Sequence, residues 1–246
     1  MTPLTSIELL HIWERGMDQS LTEKTLILLG KACSSADQHE IGMLSIGERD
    51  ARLLQLREWL FGSTLRNIAH CPKCNDTVEW ETNTRELFLK PISPDLSVKT
   101  FLLEKDGLSI RFRLPNTHDI SKASTDLPYQ ADHTKLLSDC ILEMNSGGKY
   151  NSVNDLPGLA WEALSEMMEN EDPQADIRMN IECPACTHQW QSPFDIVSFL
   201  WAEIHNWAIG ILQEVYLLGR SFGWSEEAIL KMSSRRRQLY LQMIGA

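Results

Sequence analysis

The chain has 246 residues, 43% hydrophobic and 23% charged, enough for one large domain or two small ones and too apolar for wholesale disorder. Its formal net charge is −11, which argues against nonspecific nucleic-acid binding as the main task, because phosphate affinity rests on clustered Lys and Arg. No run of about 18 uncharged apolar residues is present to span a bilayer. The opening stretch MTPLTSIELLHIWERGMD lacks the basic and apolar regions of an export signal. A cytoplasmic, reducing location is therefore expected, where paired cysteines read as metal ligands rather than disulfides.

The first 65 residues read as helices. Ser20 and Glu23 in SLTEKTLILLGKA fit a capping box, in which each side chain satisfies a free amide at the helix start. The same signature returns at Ser45 and Glu48 in LSIGERDARLLQLREWLFG, with Leu53, Leu56 and Leu60 on one face and Gly62 as the stop. Arg49, Asp50, Arg52 and Arg57 of that helix are expected to face solvent or partners.

The middle is mixed. CPKCNDTVEWET alternates Val78 and Trp80 with polar residues, predicting a strand after the first cysteine pair. VKTFLLEKDGLSIRFRLP predicts a hairpin turning at Asp106-Gly107 and ending at Pro115. Helices are expected around His133–Met144 and Gly158–Glu169, separated by the Gly/Ser/Asn-rich loop NSGGKYNSVNDLP. DIRMNIE then predicts a short strand leading into CPACTHQWQSPFD. Phe199, Leu200, Ile204, Trp207, Ile211, Val215 and Leu218 predict one long helix within Phe194–Phe222, closed by Gly223. Ser225 and Ser233 cap two further short helices.

The strongest chemical signal is the pair of motifs Cys71-Pro-Lys-Cys74 and Cys183-Pro-Ala-Cys186, with 108 residues between them. A C-x-x-C turn presents two thiolates to one metal, and two such turns complete a tetrahedral shell for Zn²⁺. A closed all-thiolate shell leaves no place for a reacting water, so one structural zinc per chain is expected rather than a catalytic one. With four thiolates and one Zn²⁺ the formal charge moves from −11 to −13. The competing readings are two unrelated free C-x-x-C turns or a thioredoxin-like redox pair. His70 and His188 beside the turns are expected to lie outside the ligand shell, and Cys33 and Cys140 are expected to be small buried residues.

These features predict an α+β fold, mainly helical, with N- and C-terminal helical segments clamped by a four-cysteine zinc ribbon carrying a small β-hairpin insertion. The expected boundaries are 1–66 for the N-terminal helices, 67–193 for the ribbon with its insertion, and 194–246 for the C-terminal helices.

No HExxH, G-x-S-x-G, phosphate loop or G-x-G-x-x-G is present. His118 and Asp119 adjoin in sequence without forming a recognisable dyad, so no enzyme activity and no small-molecule substrate are expected. Arg235, Arg236 and Arg237 stand out from an acidic chain, as a solvated helix face or a docking patch for an acidic partner. Trp201 and Trp207, six apart on the long helix, do not share one face well, which leaves one of them free for a partner.

LSIGERDARLLQLRE, the first CPxC, RFRLPNTHD, DPQADIRMNIECPAC and the block from SPFDIVSFLWAEI through FGWSE to RRRQLYL together resemble the baseplate-hub assembly proteins of T4-like contractile phage tails. Relatives of that family are encoded with phage-tail-like contractile injection systems. Phe222 stands where a tyrosine is common. The resemblance implies a non-enzymatic role in a bacterial cell, as a chaperone or minor structural component of the baseplate or hub, with other baseplate proteins as partners and with incorporation into the particle as one outcome. Two classes compete with it: a zinc-ribbon protein that binds nucleic acid or regulates transcription, and a metal or redox enzyme with an accessible low-pKa thiol.

Overall fold

The structure is a computed structural model and describes residues 1–34, 36–125 and 133–245. In chain order the elements are α1 (Ser6–Gly16), α2 (Leu21–Ala32), α3 (Gln38–Gly42), α4 (Ile46–Phe61), β1 (Thr64–His70), β2 (Thr77–Asn83) and α5 (Thr84–Leu87). They continue with β3 (Thr100–Lys105), β4 (Leu108–Arg113), α6 (Thr117–Thr125), α7 (His133–Cys140), β5 (Ile141–Asn145) and α8 (Gly158–Glu171). Then come β6 (Arg178–Glu182), β7 (Gln189–Pro193), α9 (Ile196–Phe222), α10 (Glu226–Leu230) and α11 (Ser234–Met243). The class is α+β with helix predominant and small antiparallel sheets.

Helix ends follow local chemistry. Ser20, Ser45, Ser225 and Ser233 each accept an amide from the first turn of the helix that follows. At Ser20 and Ser45 only this half of the expected capping box forms; Thr5 with Glu8 and Asp37 with Glu40 complete both halves. Gly62 (φ 88°) and Gly223 (φ 71°) stop α4 and α9 in the left-handed region, which glycine adopts without a Cβ clash.

The chain forms two compact units, one of residues 1–34 with 196–246 and one of residues 35–195. In the first unit α1 and α2 pack directly on α9. Gly16 lies under the Trp201 ring, where an added Cβ would come within 2.2 Å of the indole, and Trp13 Nε1 donates to His205 Nδ1 at 3.2 Å. α10 and α11 close on the end of α9 through Leu218, Ile229 and Leu241. Phe222, Trp224 and Tyr240 stack around that core, with the Phe222 and Trp224 centroids 4.5 Å apart.

The second unit is organised around α4. Arg52 and Arg57, expected on its outer face, are each only 2% exposed. The reason is hydrogen bonding: Arg52 donates to Glu48 at 2.5 Å and to the Ser93 carbonyl at 2.7 Å, while Arg57 donates to the carbonyls of Gly62 at 2.7 Å and Thr64 at 2.8 Å. Arg57 thus satisfies the exit of α4 and holds the start of β1. At the entrance of α4 the Gly47 amide donates to Asp172 at 2.9 Å, an approach that a Cβ on Gly47, 1.9 Å from Asp172 Oδ1, would block.

The expected hairpin forms as β3 and β4, with Asp106 (φ 53°) and Gly107 (φ 79°) in the turn. It gains a third strand, because the helix expected through Met144 ends at Cys140 and residues 141–145 pair with β4 instead. Met144 pairs with Ile110, and Ile141 with Phe112 across a bulge, so these apolar side chains join the core as strand residues. Leu108, Ile110 and Phe112 on one face of β4 then pack on Ala160, Leu164 and Met168 of α8, whose spacing of four makes one helical stripe. β1, α5 and α6 have no counterpart among the elements expected from the sequence.

Candidate metal centre

Both cysteine pairs occupy turns of two-stranded antiparallel hairpins. Cys71 and Cys74 lie between β1 and β2; Cys183 and Cys186 lie between β6 and β7. The turns repeat each other bond for bond. The Cys71 amide donates to the Asp76 carbonyl at 2.9 Å, and the Cys183 amide to the His188 carbonyl at 2.9 Å. Asn75 N–H donates back to Cys71 C=O at 2.8 Å, and Thr187 N–H to Cys183 C=O at 2.9 Å. The residue after each second cysteine adopts a left-handed conformation, Asn75 at φ 59° and Thr187 at φ 57°. Asparagine tolerates that region; a β-branched threonine there is an outlier, held by the turn around it.

Behind the turns, Val78, Trp80, Met179, Ile181 and Trp190 form a small apolar cluster with the cysteines. Val78 and Trp190 are the equivalent positions, each seven residues after the first cysteine of its turn. Trp80 is two residues further along β2, and a shift of two keeps a strand residue on the same face. This explains why the two tryptophans, offset differently from their cysteines, serve one cluster.

The four sulfurs meet. Cys71 Sγ lies 3.7 Å from Cys186 Sγ and Cys74 Sγ 3.6 Å from Cys183 Sγ, and all four sulfurs lie within 4.8 Å of one another. Tetrahedral zinc with Zn–S bonds of about 2.3 Å requires sulfurs about 3.8 Å apart, so the quartet fits the ion. The thiol chemistry also fits. Burial disfavours the Cys71 thiolate, yet the amides of Cys74 and Lys73 together with hydrogen bonds from the Cys74 and Cys186 thiols outweigh it and bring the thiol down to about 7. At Cys74 the Asp76 amide favours the thiolate, but the Cys186 sulfur, loss of solvent and the sulfurs of Cys183 and Cys71 together push the thiol up to about 12. Four sulfurs this close do not all ionise unless a cation sits among them.

Cys71 and Cys183 are buried at 1% and 0% exposure, whereas Cys74 is exposed and Cys186 half-buried. Among the described residues no histidine joins the group: His70 is exposed beside Thr77, and His188 stacks on Trp190. Cys33 and Cys140 are buried elsewhere. His118 and Asp119 do not act together, since the Asp119 carboxylate is bonded to Arg113 and the Asn116 amide while the His118 ring lies near His39 and Gly42.

The remaining sequence-predicted residues belong to the unit of α9 and α11, and the four cysteines to the other. Arg235 and Arg236 face solvent, with the Arg236 guanidinium 5.8 Å from the Tyr240 ring centroid. Arg237 is 4% exposed and bonded to Glu214 at 2.6 Å and to the Met232 carbonyl at 2.7 Å, so this arginine is committed to the fold. Trp201 is buried beneath Lys24 and Trp207 is half-buried. The burial of Arg237 and Trp201 leaves Arg235 and Arg236 as the exposed members of that expectation, with Trp207 half-buried.

Charge divides sharply between the units. Residues 1–34 and 196–246 hold eight Lys/Arg and eight Asp/Glu, a net of zero, while residues 35–195 hold fifteen against twenty-six, a net of −11. Among the described residues no helix is long and apolar enough to cross a membrane.

A family model described as T4 bacteriophage base plate protein matches residues 6–201. No curated protein and no solved structure matches the chain.

Proposed function

Because this chain belongs to the T4 bacteriophage base plate protein family, we propose that it is a non-enzymatic assembly factor or minor structural component of the baseplate or hub of a contractile tail or phage-tail-like injection system. The observation that carries the reading is the extent of the family match, which covers residues 6–201 and includes both cysteine turns. In this reading the protein acts through contacts with other baseplate proteins, works in the bacterial cytoplasm, and takes no small-molecule substrate.

The metal in this reading is one structural Zn²⁺ held by Cys71, Cys74, Cys183 and Cys186, making the two hairpins halves of one zinc ribbon. Sulfur spacing, amides directed at Cys71 and the enclosing apolar cluster support it. The bound ion would neutralise thiolate charge and join the hairpins; with four sulfurs filling its shell it would supply no reactive water. The nucleic-acid alternative has electrostatics against it, because the unit that carries the quartet also carries the whole net charge of −11.

Arg235, Arg236 and Trp207 are the residues assigned to partner contact. The test is co-purification of tagged protein with baseplate proteins from cells producing the contractile particle, comparing wild type with an Arg235→Glu/Arg236→Glu variant. Recovery of baseplate proteins by wild type and loss in the variant supports the reading; recovery of none by wild type contradicts it.

A further inference from the structure

α11 turns an apolar, basic face outward. Leu239 is 50% exposed and Met243 is 73% exposed, with Arg236 one turn before Leu239 and Arg235 beside it. Positions 236, 239 and 243 make one stripe at helical spacing. The inward face is fully engaged, with Arg237 on Glu214 and Leu241 in the core with Leu218. A helix in a neutral unit that exposes two large aliphatic side chains beside two arginines lacks a partner for that face.

The other unit carries a complementary cleft of about 440 Å³ between the start of α4 and residues 90–99, within the size range of binding pockets. Its walls are mostly apolar, with Leu44, Ile92 and Phe101 among them. Glu48, Asp95, Glu171 and Asp172 line it against Lys90 and Lys99. Lys99 is already paired with Glu48 at 3.1 Å, and Lys90 donates to the Glu171 carbonyl at 2.7 Å. The cleft therefore keeps an excess of carboxylate, and it belongs to the unit with all the net negative charge.

We propose that α11 of one copy docks in this cleft of a second copy, Leu239 and Met243 entering the apolar walls and Arg235 and Arg236 meeting the carboxylates. The occupant is argued from charge and polarity that match on both sides of the same chain. Each copy offers one helix and one cleft, so two copies can exchange helices reciprocally, and a series of copies can close a ring or extend a chain. One face of a ten-residue helix is small for a stable interface, so association is weak in dilute solution and strengthens where copies are concentrated together. The inference goes beyond the function proposed above and is independent of the metal; it makes self-association and baseplate contact alternative uses of the Arg235 and Arg236 face, and Glu171→Arg, which leaves that face intact, separates the two.

Sedimentation equilibrium of the full chain tests it at about 0.05 M and about 0.5 M salt, which differ several-fold in screening length. Concentration-dependent self-association that weakens several-fold at the higher salt is expected. Arg236→Glu and Glu171→Arg should each weaken it about tenfold or more, with near-UV circular dichroism unchanged. An equimolar mixture of these two variants should recover association, because an intact helix then meets an intact cleft. Monomer at every concentration overturns the proposal. So does loss of association in Met243→Asp with Glu171→Arg unaffected, which would place α11 against another surface.

Discussion

The sulfurs of Cys71 and Cys186 lie 3.7 Å apart across 115 residues of sequence. The cost of closing so long a loop grows only logarithmically with its length, and the fold meets it twice. The sulfurs join the hairpin tips, and α4 joins their roots, through Arg57 at the start of β1 and through Asp172 ahead of β6.

Chelation should therefore act locally. Removing the metal should strip hydrogen-exchange protection from amides in 64–83 and 178–193, while α9 and α11, which belong to the other unit and its own core, keep theirs. Exchange measured by mass spectrometry before and after chelator treatment checks this. Equal loss of protection in α9 would contradict it.

Thr187 should be improvable. Its φ of 57° is costly for a β-branched residue, while Asn75 occupies the matching place in the first turn at φ 59°. Thr187→Asn should raise stability by about 0.5–1 kcal/mol and Thr187→Val should lower it. Thermal melts of the metal-loaded protein give the comparison.

The three arginines of α11 should separate in a stability scan. Arg237→Ala removes the ion-pair partner of Glu214, leaving it the Gln238 amide at 3.0 Å, and orphans the Met232 carbonyl, so it should cost about 2 kcal/mol. Arg235→Ala and Arg236→Ala, on the solvent face, should each stay within about 0.5 kcal/mol of wild type. Urea denaturation of the single variants distinguishes them.

Two glycines should refuse a methyl group for steric reasons, one in each unit. In Gly16→Ala the added carbon meets the Trp201 ring at 2.2 Å, and in Gly47→Ala it meets Asp172 Oδ1 at 1.9 Å. Each should lose about 1–3 kcal/mol, despite the better helix propensity of alanine. A melting temperature equal to wild type in either variant would show that the neighbour yields.

Asp50 sets a pH dependence of defined sign. Burial, opposed by Arg49 and reinforced by Asp195 and Asp172, pushes its carboxyl up to about 6 from an ordinary value of 3.8. The folded state thus favours the protonated form. Its stabilising contribution is complete below about pH 4 and is lost as pH rises through 6, a difference on the order of 2–3 kcal/mol. Asp50→Asn removes the titration, so its stability relative to wild type should climb between pH 4 and pH 6 and then level off. A difference independent of pH would contradict this assignment.

Much of the site was legible because its chemistry is local. A CPxC turn carries its own hydrogen-bond pattern, and two copies of it announce a shared centre even at a distance. The Asp106-Gly107 turn and the serine caps were readable for the same reason. What escaped was decided by distant partners. The segment from Ile141 to Asn145 continues a helical pattern, and only the free edge of β4 makes it a strand. Arg52 and Arg57 look like surface residues until the carbonyls of Ser93, Gly62 and Thr64 arrive to accept their protons. The pairing of Trp13 with His205, 192 residues apart, has no local signature at all.

Metal analysis of the purified protein, with Cys71→Ser and Cys183→Ser alongside, tests the central claim most directly. The account predicts one zinc per chain, lost in both variants together with a fall in melting temperature, because each cysteine comes from a different hairpin of one shared site. Absence of zinc from the wild type, or its loss from only one variant, would contradict the shared centre and the ribbon built on it.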